Sequence, residues 1–153
     1  MALLAGFDIG LTSAWVALDE DTGEIAGWGE ARFERDAQLW HCHDVAMAAV
    51  RALREVARDR GTEVLACMFE SEFISKNPRV AIGLARRRGH LELAAIRCLG
   101  PVLADARPAA QLRRQLQLPR GKQDAHDALL RRFPECAPLT EHARDAFVAA
   151  RVL

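Results

Sequence analysis

The chain has 153 residues, 50% of them apolar and 27% charged. That is enough for one globular domain with a real core, and it leaves no room for a second domain of ordinary size. Its 21 basic and 21 acidic side chains cancel, so net charge neither favours nor excludes a polyanionic partner. Their distribution is uneven: residues 1–75 carry 6 basic and 14 acidic side chains, and residues 76–132 carry 13 and 4. Such asymmetry fits a protein that holds both a metal cation and a phosphate backbone, and it also fits two oppositely charged solvated faces. No stretch reads as a signal peptide or a membrane span, so a cytoplasmic chain without a membrane partner is expected. Cys42, Cys67, Cys98 and Cys136 are scattered, which favours reduced, packed thiols over a disulfide frame or zinc site.

Residues 3–9 form a short apolar run and read as a buried strand; residues 13–18 and 24–33 continue as strands, making an antiparallel meander. Over residues 36–60 the period becomes 3.6, with Leu39, Val45, Ala49, Ala52, Leu53 and Val56 on one face, and Gly61 stops the helix. Residues 63–69 read as a strand lying parallel to the first after the helical crossover. Asn77 and Pro78 form a cap and first-turn proline for a helix running to about Leu99. A short strand at 101–105 and helices at 109–118, 122–133 and 140–153 complete an α/β fold with a mixed five-stranded sheet flanked by helices.

Two carboxylates stand out. Asp8 lies between Phe7 and Ile9 in an apolar strand, where an unpaired charge costs several kcal/mol. Glu70 ends the strand expected beside it, at the sheet edge where open α/β folds keep their sites. Two acids at neighbouring strand ends repel, and a divalent cation resolves the conflict. His142 and Asp145 are three residues apart and share a helix face just past Thr140, a capping residue. Ala143, Ala146, Ala149 and Ala150 give that helix a small surface able to lie close against a sheet.

These residues carry a resemblance. Residues 69–77, FESEFISKN, followed by Ile82, Gly83, Leu84, Ala85 and Arg86, resemble the signature of RuvC Holliday junction resolvases. GFDIG resembles that family's first strand with its acidic residue, and His142 with Asp145 resembles its carboxyl-terminal metal pair. The resemblance implies an RNase H-like fold, a homodimer in the bacterial host cytoplasm, and two magnesium ions per active site, with manganese as a second candidate. It further implies paired nicks on opposing strands of a four-way DNA junction. Carried over, Asp8, Glu70, His142 and Asp145 would hold the metals and Lys122 would assist catalysis. Phe73 would stack on bases, and Lys76, Arg79, Arg86, Arg113, Arg114, Arg120 and Lys122 would contact DNA. Length and divergence resemble a phage-encoded relative. An imidazole binds metal only when neutral, so His142 as a ligand implies activity that falls below about pH 6.

Other readings remain. GFDIGLTS also resembles the first phosphate-binding turn of sugar kinases, but those enzymes need two such domains and a second glycine-rich turn. A non-catalytic branched-DNA-binding module would bind junctions without cutting. A broader nuclease for flaps and forks is the nearest alternative.

Overall fold

The computed structural model describes residues 2–35, 38–71 and 77–153. Strands β1 (Leu3–Asp8), β2 (Thr12–Asp19) and β3 (Ile25–Arg32) form the meander. Helix α1 (Leu39–Asp59), strand β4 (Val64–Ser71), helix α2 (Pro78–Leu99) and strand β5 (Leu103–Pro108) follow. Helices α3 (Ala109–Gln115), α4 (Lys122–Arg132) and α5 (Glu141–Arg151) end the chain, with one short 3₁₀ turn before α5. The sheet order is β3-β2-β1-β4-β5. β1 pairs antiparallel with β2 and parallel with β4, and β5 extends the parallel half. This is the expected mixed sheet, because a helical crossover returns the chain in the same direction while a tight turn reverses it.

Each face of the sheet has its own core. Leu3, Ala5, Phe7, Cys67 and Phe69 pack under α1 and α2, and the Phe7 and Phe69 rings stack with centroids 4.8 Å apart. Val16, Leu18 and Met68 pack under α3, α4 and α5 with Leu112, Leu129, Ala146, Phe147 and Ala150. Strand alternation therefore assigns Phe7 and Phe69 to the first face, and the residues next to them, Asp8 and Glu70, to the face covered by α5.

Close packing of α5 depends on β1 having no side chain at Gly6. A methyl group there would overlap the carbonyl oxygen of Ala146 and the backbone nitrogen of Ala150. The alanine surface read in the sequence is thus matched by a glycine on the strand beneath it. Gly6→Ala must push the helix outward, and we expect a loss of at least about 2 kcal/mol in denaturant unfolding, at the upper end of overpacking costs. An unchanged midpoint would mean that α5 does not lie against β1 as described.

Three sequence expectations need correction, the first being that α3 ends at Gln115 rather than 118, with Gln117 at φ 57°. The inner stripe of α1 is Cys42, Ala46, Ala49, Val50, Leu53 and Ala57; Leu39 is 57% exposed and Ala52 is also exposed. Burial follows the spacing of the whole stripe, and the small residues Cys42 and Ala46 occupy it where α1 lies over the sheet. The last strand spans Leu103–Pro108 rather than 101–105. Gly100, at φ 84°, and Pro101 turn the chain out of α2 before pairing with β4 begins at Leu103. Pro108, without an N–H for the ladder, ends it. Other local signals hold. The Asn77 side chain accepts the Arg79 backbone N–H at 3.1 Å, the Thr140 hydroxyl accepts that of Ala143 at 3.2 Å, and Gly61 at φ 63° follows α1. The four cysteines are free. Among the described residues no helix is long and apolar enough to cross a membrane.

Candidate active site

The parallel register pairs Phe7 with Phe69, so one step further along the two strands Asp8 and Glu70 stand side by side at the carboxyl ends of β1 and β4. The amino-terminal turns of α5 cross this edge and add His142 and Asp145. Asp8 and Asp145 are each only 7% exposed. Their burial follows from the packing of α5 on β1, which leaves the acids at the end of a closed apolar interface.

The electrostatics are those of crowded negative charge. Burial pushes the Asp8 carboxyl above its ordinary range; the hydrogen bond with His142 opposes the shift and the charge of Asp145 adds to it. Glu70 is pushed up to about 8, first by burial and then by the charges of Asp8 and Asp145, with Arg113 and Lys122 only partly offsetting them. The charge of Asp145 acts on both Asp8 and Glu70, so carboxyls from positions 8, 70 and 145 of the chain meet in one cluster.

Nearby donors hold this arrangement. His142 Nδ1 lies 2.8 Å from Asp8 Oδ2. Lys122 Nζ, at the first turn of α4, lies 3.0 Å from Asp145 Oδ2 and 2.8 Å from Glu141 Oε1. Partial burial pulls the Lys122 pKa down, but its contacts with Glu141 and Asp145 outweigh this and raise it, so it stays charged. The contact with Lys122 in turn lowers the Glu141 pKa. His126 Nε2 lies 3.0 Å from Asp145 Oδ1, and Arg113 Nη2 is 3.8 Å from the same oxygen.

The donor set suits a hard divalent cation. It combines three carboxyl groups and one imidazole, and Arg113 and Lys122 offset the crowding at Glu70 only in part, so an added positive charge is favoured. Among the described residues no three His, Cys, Asp or Glu side chains stand so as to hold a metal ion together. Asp8 is engaged by His142, and Asp145 by His126 and Lys122, so ligation requires some of these contacts to give way.

The remaining sequence candidates fall in separate places. Arg113, Arg114 and Arg120 line one open cavity of about 740 Å³ formed with Pro108, Gln111 and Leu118, and Arg113 joins this cavity to the acidic cluster. Arg79 is exposed in the first turn of α2 and Arg86 is exposed near its middle, in the helix layer across the sheet from α3. Phe73 and Lys76 lie outside the described residues. Two residues at the cluster were not singled out in the sequence, His126 and Glu141. The sequence of α4 carries no signal for His126; only the structure shows that Ala125, His126 and Leu129 are its buried positions.

No family model matches the chain, and no curated protein matches it in sequence. Solved structures do match. RuvC of T. thermophilus in complex with a Holliday junction substrate superposes with a TM-score of 0.71 at 15% identity, covering 99% of this chain and 92% of that one. A structure of Thermus thermophilus RuvC alone gives the same TM-score at 19% identity, covering 98% and 92%. The five-stranded mixed sheet, its flanking helices and this full-length superposition establish that the chain has the RNase H-like fold of RuvC.

Proposed function

We propose that this protein is a metal-dependent DNA endonuclease that resolves four-way junctions by paired nicks on opposing strands. The observation that carries the reading is the convergence of Asp8, Glu70 and Asp145 at one sheet edge, where the charge of Asp145 adds to the raised pKa of Asp8 and the charges of Asp8 and Asp145 add to that of Glu70. A like fold in a protein bound to a Holliday junction supports the choice of substrate. Asp8 and Glu70 from the sheet, with Asp145 and His142 from α5, are the residues that would hold magnesium or manganese. When bound, such ions would activate water and neutralise charge on the scissile phosphate.

The chain's own groups do the rest. Asp8 and Glu70 sit on strands whose ladder fixes their separation, so they provide the rigid side of the site. Lys122 keeps a positive charge beside Asp145 and can turn towards a phosphate oxygen while Glu141 balances it. Arg113, Arg114 and Arg120 offer their cavity to the backbone of the same DNA strand. Contacts of this kind position the duplex without reading sequence and weaken steeply with salt.

Pairing of two nicks needs two sites, and an exposed apolar stripe on α2 supports a homodimer. Ile82, Gly89 and Ile96 recur at seven-residue intervals with Leu93 between them, and all four are exposed. This is the spacing of a helix-to-helix seam, with Gly89 allowing close approach. Replacing Ile82 and Ile96 together by Glu should raise the dimer dissociation constant at least about 100-fold, on the scale of losing central apolar anchors. Light scattering on the eluting protein reads this, and an unaltered dimer mass would remove α2 as the contact.

An end-labelled four-way junction, a flap and a fork, each incubated with and without magnesium, test the reading. Symmetric metal-dependent nicks on opposing strands of the junction are expected. Equal cutting of all three substrates would favour the broader nuclease, and junction binding without any nick would favour a binding module.

A further inference from the structure

His126 is 5% exposed and is the one buried histidine among the described residues. It projects from the inner face of α4 between Ala125 and Leu129, where a polar ring is costly unless it is hydrogen-bonded. Its Nε2 lies 3.0 Å from Oδ1 of Asp145. An ionised carboxylate only accepts, so Nε2 carries the proton and donates. Lys122, one helical turn earlier on the same face of α4, reaches the other oxygen, Oδ2, at 3.0 Å.

The two donors differ in freedom. The imidazole has two torsions, is enclosed, and has no other acceptor among its described hydrogen bonds. The Lys122 side chain is 44% exposed, flexible, and already bonded to a second carboxylate, Glu141. We propose that His126 is a positioning residue, pinning Oδ1 of Asp145 so that Oδ2 is the oxygen offered to a divalent cation, with Lys122 as the donor that yields. The proposal rests on the metal-dependent reading given above. Outer hydrogen bonds of this type typically change metal affinity about 10- to 100-fold.

The test is manganese binding by titration calorimetry on the full chain, beside thermal unfolding without metal. His126→Leu keeps approximate volume and removes the donor, and should weaken manganese binding at least about 10-fold. His126→Gln, whose amide nitrogen can donate to the same oxygen, should stay within about 3-fold of the parent; the contrast separates the hydrogen bond from simple packing. Equal affinity in all three proteins, or equal losses in both variants, overturns the positioning role. Absence of manganese binding by the parent overturns the metal-dependent reading as well and so is distinguished from failure of the role alone. A measurement needing no variant is the imidazole proton spectrum of the ¹⁵N-labelled protein. The His126 Nε2–H signal should persist at saturating magnesium, and its loss overturns the proposal even if His126→Leu does not fold.

Discussion

Asp8→Asn should lower the rate of junction cutting by at least about 10³-fold while leaving junction binding within a few-fold of the parent. The substitution keeps the shape of a side chain that is 7% exposed and packed at the end of β1, so the fold has no reason to change. What it removes is one of the three carboxyl groups proposed to hold a divalent cation. Losing several kcal/mol of metal-borne stabilisation in the transition state corresponds to about three powers of ten in rate. In the proposed reading, binding rests mainly on phosphate contacts from other residues, such as Arg114 and Arg120 in their cavity, and not on Asp8. Single-turnover cleavage and fluorescence anisotropy on the same labelled junction separate the two. A variant that cuts at the parental rate would remove Asp8 from the site.

The second large effect is a dependence of metal-free stability on pH that runs opposite to that of an ordinary ion-paired carboxylate. Burial, then Asp8 and Asp145, raises Glu70 from an ordinary 4.5 to about 8. Between those values the folded protein binds more protons than the unfolded chain, so stability falls as pH rises through the window. Below about 4.5 both states are protonated at this position and the contribution is constant. Asp8, shifted in the same direction by its burial, adds to the slope.

Melting of the metal-free protein should therefore drop by several degrees between pH 5 and pH 8. In Glu70→Gln, which cannot ionise, the melting temperature at pH 8 should stand above the parent by roughly 5 °C or more. Magnesium should restore the parent at pH 8 and leave the variant nearly unchanged, because a cation stabilises the ionised cluster it binds. A parental melting temperature that rises from pH 5 to pH 8 would show that Glu70 is not held in an acidic, desolvated environment.

Much of this candidate cluster could be read in the sequence because its residues violate local rules. Asp8 interrupts an apolar strand, and Glu70 ends another; such misfits mark places where a partner must be supplied from elsewhere. The alanines of α5 pointed to close packing, and the structure supplies the matching space at Gly6. His126 escaped notice for the opposite reason. It lies in KQDAHDALLRR, a segment so polar that one more polar residue breaks no pattern, and only the docking of α4 against α5 turns that face inward. The same limit explains α1. Leu39 looks like a core residue by composition, but it occupies the first position of the helix and is exposed, and the stripe below it is built from Cys42 and Ala46. Strand β5 was misplaced because Gly100 and Pro101 read as a boundary, whereas pairing starts only at Leu103, where register with β4 is set by contacts far apart in sequence.

In the proposed function, side chains from β1, β4 and α5 together hold divalent cations. Anomalous diffraction from crystals of the full chain equilibrated with saturating manganese tests it most directly. Manganese is expected among Asp8, Glu70, Asp145 and His142, with Lys122 withdrawn from Oδ2 of Asp145 and His126 still on Oδ1. Manganese absent from this cluster, or bound only at other acidic positions while Lys122 keeps its contact, would contradict it.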